Sequence, residues 1–243
     1  MSFTDRFTGR AGAYAAARPS YPPESIDAVL EGLGDPAALV VADIGAGTGI
    51  SARAIAERGP RVLAIEPNAA MRANAKGDPR VEWIDGTGEA TTLPDASVDV
   101  VAAFQAWHWV DHAAAAAEGR RIVRPGGRLA ALYNERDESD PFTAAYGDII
   151  RRYAVDATEQ RRTDALEAFA RIAPAGTHRF SFVNVHSWDR EGLHKRIEST
   201  SYVPHAGPAA AAMRAEFDAL FDRYAVDGSV SIHLVTLVVR VDV

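Results

Sequence analysis

Val40-Val41-Ala42-Asp43-Ile44-Gly45-Ala46-Gly47-Thr48-Gly49 reads as a strand running into a glycine-rich turn. Behind it, Ile50, Ala54 and Ile55 fall on one face of a helix that stops at the Gly59-Pro60 breaker. Glycines let the backbone turn tightly and let a ligand approach without a Cβ in the way, and the helix N-terminus beyond offers free N–H groups to an anion. A strand, a glycine turn and a helix in this order form the first unit of a parallel sheet with crossover helices.

The pattern repeats outward from that unit. Arg61–Ile65 is the second strand, and apolar runs follow at Val81–Ile84, Val98–Ala103 and Arg128–Tyr133, each separated by about a helix and a loop. At least five strands therefore belong to one series in an α/β, doubly wound domain. After Tyr133 the rhythm changes. Residues 140–155 and 163–172 read as helices, and Thr177–Val185 alternates at period two as a half-buried strand does. Pro208 stands where a helix would start, and Met213, Phe217, Leu220, Phe221 and Tyr224 form one apolar stripe behind it. Ser229–Val241 closes the chain as a strand, expected to pair antiparallel with the preceding one at a sheet edge. The helical inserts show no obvious core of their own, and a cap over the ligand-binding edge is their expected place.

Composition narrows the function. The 243 residues carry 26 Lys+Arg against 33 Asp+Glu, a formal net charge of −7, with 47% hydrophobic residues and no cysteine. Disulfides, thiolate nucleophiles, Cys-ligated zinc and iron–sulfur clusters are excluded. The acidic balance gives no net attraction to phosphate backbones or anionic lipid, so no nucleic acid and no membrane is expected as partner, and a small molecule is. The first residues lack the apolar stretch of a secretory signal and no run of about 18 apolar residues occurs, which predicts a cytoplasmic protein. The seven histidines lack paired metal-ligand spacing with nearby acids, and no metal is expected.

The glycine turn has two readings. A dinucleotide fingerprint spaces its glycines GxGxxG, whereas here they fall as GxGxG and follow Asp43 by two residues. A carboxylate so close would repel a pyrophosphate, yet it suits a ligand carrying an ammonium group. Glu66 stands 21 residues after Gly45, the distance at which an acid reaches a ribose diol across one βαβ unit. Glu66 thus indicates adenosine, and the glycine spacing favours an amino-acid-bearing nucleotide.

Five segments in their order carry a resemblance: Asp43 to Gly49, Ile65-Glu66-Pro67-Asn68, Gly86-Thr87-Gly88-Glu89-Ala90 with Leu93-Pro94, Gln105-Ala106-Trp107-His108-Trp109, and Arg124-Pro125-Gly126-Gly127. Over residues 1 to about 135 the chain resembles the class I S-adenosylmethionine-dependent methyltransferases. Tyr14-Ala15-Ala16-Ala17-Arg18-Pro19-Ser20-Tyr21-Pro22 is further similar to the small-molecule branch that includes trans-aconitate methyltransferase-like proteins. The resemblance implies a seven-stranded, mostly parallel Rossmann-like sheet in a single domain of residues 1–243. In it, residues 1–30 would be an N-terminal lid, and residues 136–176 and 188–227 helical cap inserts.

It also implies a cofactor site for S-adenosylmethionine. Gly45, Ala46 and Gly47 would cradle the methionine portion, Asp43 would meet its ammonium or brace the turn, and Glu66 would take the ribose. Pro67 and Met71 would wall the adenine, Thr87 and the Gly88 N–H would meet its edge, and Phe104 and Gln105 would pass the methionine end. Tyr14 and Arg18 are able to reach the methionine carboxylate from the lid. His108 is either a base for the methyl acceptor or a packed ring, and Trp107, Trp109 and Tyr202 are expected to line the acceptor pocket. Two other classes stay open at this level: a non-catalytic S-adenosylmethionine-binding regulator, and an NAD-dependent oxidoreductase, which the glycine spacing and the lack of a Tyr-x-x-x-Lys pair disfavour.

Overall fold

The computed structural model describes residues 18–172 and 176–243. The strands are β1 (Val40–Ile44), β2 (Arg61–Ile65), β3 (Val81–Ile84), β4 (Val98–Phe104), β5 (Val123–Arg136), β6 (Thr177–Trp188) and β7 (Val230–Asp242). They form one seven-stranded sheet in the order β3-β2-β1-β4-β5-β7-β6. β3 through β5 pair in parallel, β7 runs antiparallel to β5, and β6 pairs antiparallel with β7 from Thr177 opposite Val241 to Trp188 opposite Val230. The doubly wound sheet and the antiparallel closing pair are therefore both present.

Apolar alternation in β1 feeds both faces. Val41 packs with Ile26, Val29 and Leu30 of α1 (Pro23–Leu30) and Ala52, Ile55 and Ala56 of α2 (Ile50–Glu57), while Ala42 and Ile44 belong to the opposite face. That second face is covered by α4 (His112–Ile122) and α6 (Thr158–Ala170); the short α3 (Ala69–Ala73) follows β2. Side chains of this kind contribute roughly 1.5–3 kcal/mol each when fully buried. Residues 21–30 supply core, since Tyr21, Ile26, Val29 and Leu30 are buried. This restricts a lid to the chain before them, and residues 1–17 lie outside the described residues.

Helix α6 begins five residues earlier than its apolar period suggests, because its first turn, Thr158-Glu159-Gln160-Arg161-Arg162, shows no apolar stripe and is set instead by Asp156 Oδ1 accepting the Thr158 N–H at 2.8 Å. The helical inserts do have a core. Phe142, Tyr146, Ile149 and Ile150 of α5 (Pro141–Tyr153), Leu193 and Ile197 of α7 (Arg190–Glu198) and Met213, Phe217, Leu220 and Phe221 of α8 (Gly207–Tyr224) pack with the start of β7. Tyr146 and Phe217 rings lie 5.2 Å apart. Their stripes come from segments more than 60 residues apart, so no single segment reveals the shared core. Among the described residues, no helix is long and apolar enough to cross a membrane.

Candidate functional site

The C-terminal ends of β1, β4 and β5 open onto a cleft at the point where strand order reverses, the usual ligand position in open α/β sheets. Gly45, Ala46 and Gly47 line one side, with Phe104, Gln105 and Asn134 beside them, Arg18 and Tyr21 from the entering chain, and Tyr146, Arg162 and Arg196 from the cap helices. Gly45, Gly47 and Gly49 have φ of 67°, 59° and 78°, a region that L side chains seldom adopt. A Cβ at Gly45 would stand 2.8 Å from the Ala106 Cβ.

The turn spends most of its amides internally. Gly45 and Ala46 donate to Ile65 O at 2.9 and 3.1 Å, and Gly47 donates to Glu66 Oε2 at 2.9 Å. These N–H groups are committed to the end of β2 and to Glu66, so what the turn presents to the cleft is backbone without side chains. Glu66 Oε1 accepts the Asn68 N–H at 2.9 Å as well, so its carboxylate clamps two loops together. Burial raises its pKa against the lowering effect of both N–H groups and Arg72. A carboxylate oxygen accepts more than one hydrogen bond, so the clamp leaves acceptor capacity for a diol.

Asp43 is fully buried and accepts from the Ser51 hydroxyl at 2.6 Å, which ties the end of β1 to the first turn of α2. Burial pushes its carboxyl up to about 7, with Ser51 opposing and Glu66 adding to the rise. Of its two expected roles, the structure displays the brace.

None of the expected adenosine contacts lines the cleft, and Glu66 itself is buried at 8% behind the turn. Pro67 is exposed and Met71 buried at 3%. Thr87 is exposed in a tight turn in which it exchanges backbone hydrogen bonds with Ala90 at 3.1 and 3.3 Å. Gly88 is buried where a Cβ would come within 2.8 Å of Val110 and 2.9 Å of Ile44, a packing reason for glycine. Tyr14 lies outside the described residues.

A smaller chamber adjoins the cleft and shares Arg18, Gln105, Arg162 and Arg196 with it. His108, Trp109 and Tyr202 line it. Trp107 does not: it is 3% exposed, edge-on to Phe169 at 4.9 Å and stacked on His112 at 5.7 Å, so it fastens α6 to the sheet. Gln105, between the two spaces, adopts φ 55° and donates its side-chain amide to Asn134 O at 3.3 Å.

Tyr133, fully buried, fixes the state of His108. Its phenol oxygen accepts the His108 backbone N–H at 3.1 Å and lies 3.1 Å from Nδ1. Burial holds the imidazole down to about 2, and the Arg162, Arg161 and Arg18 guanidiniums lower it further. A neutral ring with so low a pKa is poorly matched to general-base work near neutrality.

Arg136, Arg162 and Arg196 were missed as site residues by reading the sequence. A signal exists: Arg162 shares a helical face with the buried Ala165, Leu166 and Phe169, and Arg196 shares one with Leu193 and Ile197. Arginine inside an apolar stripe marks a cavity wall or a buried pair. By contrast, Arg120, Arg121, Arg151 and Arg152 form surface contacts, including Arg121 with Asp95 at 2.6 Å and Arg151 with Glu138 at 2.5 Å. No group of three His, Cys, Asp or Glu able to hold a metal occurs among the described residues.

Residues 42–131 match the family described as a methyltransferase domain. The chain spans about three fifths of the length of the first of the curated relatives it matches. It is 44% identical over 147 residues to an uncharacterized methyltransferase of Mycobacterium tuberculosis, a match spanning 60% of this chain and 59% of the relative. A solved structure from Anaeromyxobacter dehalogenans, named as an inferred type II methyltransferase, superposes with a TM-score of 0.67 over 93% of this chain and 97% of its own at 23% identity. The [4+2]-cyclase SpnF superposes with a TM-score of 0.54 at 19% identity over 98% of this chain and 93% of its own. The fold is thus common to proteins of different named activity, and the chemistry rests on the site.

Proposed function

We propose that the chain transfers a methyl group from S-adenosylmethionine to a small-molecule acceptor. The observation that carries this reading is the two-compartment site: a cleft over the glycine turn adjoins a smaller chamber, with Arg18, Gln105, Arg162 and Arg196 shared between them. The methyltransferase domain over residues 42–131 supports it, because those residues include the glycine turn, Glu66, Gln105 and His108.

Gly45 to Gly47, Glu66 and Arg18 would hold the cofactor, which when bound supplies an electrophilic methyl on a sulfonium. Glu66 would take the ribose hydroxyls while keeping the Gly47 loop in place. Arg18, whose Nη2 donates to Ser199 O at 3.0 Å, joins the entering chain to the cap. Phe104, against which Tyr21 packs edge-on at 4.7 Å, and Gln105 shape the passage between the compartments. The protein's contribution is alignment, for which good geometry is worth up to roughly 7–11 kcal/mol.

The test is incubation of the purified chain with S-adenosylmethionine carrying a labelled methyl and a pool of small metabolites. Label in a low-mass product together with S-adenosylhomocysteine supports the reading. Tight cofactor binding with no transfer from any pool assigns the chain to regulation instead.

A further inference from the structure

We infer that the smaller chamber is an anion receptor, and that the acceptor is a small molecule bearing a carboxylate or phosphate handle held by Arg196, Arg18, Arg162 and His108. The inference rests on the methyl-transfer reading for the word acceptor, while the receptor itself follows from the side chains.

Among the described residues, three guanidiniums line this chamber and no carboxylate does. In a chain of net charge −7 such a concentration is local. Most arginines of the protein face carboxylates, as Arg58 does Asp27 and Arg179 does Glu167. Arg162 is partly neutralised by Glu135 at 2.8 Å. Arg196 forms no ion pair among the described residues. Its Nη1 donates to the Ser199 and Thr200 hydroxyls at 3.1 and 3.0 Å, and its Nε is buried with no partner. A buried cation without a counter-charge is costly, and here Arg18 and Arg162 stand close enough to lower its pKa beyond the effect of burial. An anion in the chamber would supply the counter-charge that Arg196 lacks among the described residues.

The neutral ring in the wall has the matching polarity. The Tyr133 oxygen accepts the His108 backbone N–H at 3.1 Å and lies 3.1 Å from Nδ1, and we take the phenol, already an acceptor for that N–H, as the donor to Nδ1. Nδ1 is then an acceptor, so the ring proton sits on Nε2. His108 thereby presents a donor, and the Ser201 and Tyr202 hydroxyls beside it are able to donate too. Guanidiniums, an imidazole N–H and hydroxyls form a lining that suits carboxylate or phosphate oxygens and gives an ammonium group no charged partner.

The experiment is calorimetry and thermal unfolding of the full chain saturated with S-adenosylhomocysteine, at ionic strength fixed with chloride, using glutarate, glycerol 3-phosphate and the neutral glutaramide as probes. At least one anion is expected to bind and to raise Tm, with glutaramide inert; which anion binds distinguishes a carboxylate from a phosphate handle. Arg196→Gln should weaken that anion at least tenfold, measured with and without saturating S-adenosylhomocysteine, and Arg196→Lys should fall between. Equal binding of glutaramide, no effect of either anion beyond chloride, or unchanged anion affinity in both variants overturns the receptor. If S-adenosylhomocysteine itself fails to bind, the methyl-transfer reading falls, and the anion probes on the unliganded chain still decide the receptor.

Discussion

Glu66 and Gly47 are joined by a 2.9 Å hydrogen bond from the backbone N–H to Oε2, so the residue expected to hold the ribose is also the residue that holds the glycine turn. On the proposed cofactor role, affinity and local stability would be coupled at one carboxylate. Glu66→Ala leaves the Gly47 and Asn68 N–H groups without their acceptor, at a cost of roughly 1–3 kcal/mol for each group that water does not reach. The variant should fold with a lowered Tm and bind S-adenosylhomocysteine at least tenfold more weakly by calorimetry. Gly47→Val, at φ 59°, should lose affinity through backbone strain and a Cβ in the cleft. Unchanged affinity in both variants would remove the cofactor from this site.

His108 is expected to orient the acceptor through a hydrogen bond and to take no proton from it. His108→Gln retains a side-chain donor, so turnover should drop by less than tenfold with cofactor affinity preserved. The wild-type pH–rate profile should show no ionisation near 6.5 that disappears in the variant, because burial and the facing guanidiniums keep the imidazole neutral down to about 2. A loss of a hundredfold or more, with such an ionisation removed, would restore the base.

Asp43 makes stability depend on pH. Its carboxyl is raised from 3.8 to about 7 in the folded chain by burial, so between these values the unfolded chain loses the proton first and the folded chain keeps it. Stability attributable to this group is complete below about pH 4, falls as pH rises toward 7, and levels off above. A shift of this size corresponds to roughly 4 kcal/mol. Urea unfolding of Asp43→Asn across pH 4 to 8 should show a shallower decline than wild type. Parallel curves would mean that Asp43 ionises freely in the fold.

Asn184 anchors the entering chain. Its Nδ2 donates to Ser20 O at 2.9 Å and reaches Asn134 Oδ1 at 3.2 Å, while Thr236 donates to that same Oδ1 at 2.5 Å. Asn184→Ala should lower stability by about 1–2 kcal/mol and, through Ser20, loosen Arg18 over the cleft. The expected readouts are a lower urea midpoint and a severalfold weaker S-adenosylhomocysteine affinity. A stability loss with full affinity would confine the network to packing.

Much of the fold was legible because its signals are local. The run from Val40 to Gly49 carries strand, turn and helix start within ten residues, and each later strand is an apolar run short enough to read alone. The antiparallel pair of β6 and β7 was visible in period-two alternation. The site was legible only where backbone geometry dictates residue type, as at Gly45 and Gly47. Glu66 was read by its spacing, but its turn toward the Gly47 and Asn68 N–H groups depends on how two loops meet. Trp107 looked like pocket because its neighbours are, yet in the short helical turn Trp107–Trp109 one indole faces Phe169 while the other faces the chamber. The arginine wall is assembled from α6, α7 and the entering chain, a juxtaposition that no single segment displays.

The central claim is that the cleft over Gly45 to Gly47 takes S-adenosylmethionine. Calorimetric titration of the purified chain with S-adenosylmethionine, S-adenosylhomocysteine and NAD addresses it most directly. Saturable one-to-one binding of both sulfur nucleotides, with no heat from NAD, is the predicted result. Binding of NAD with no heat from either sulfur nucleotide would contradict it.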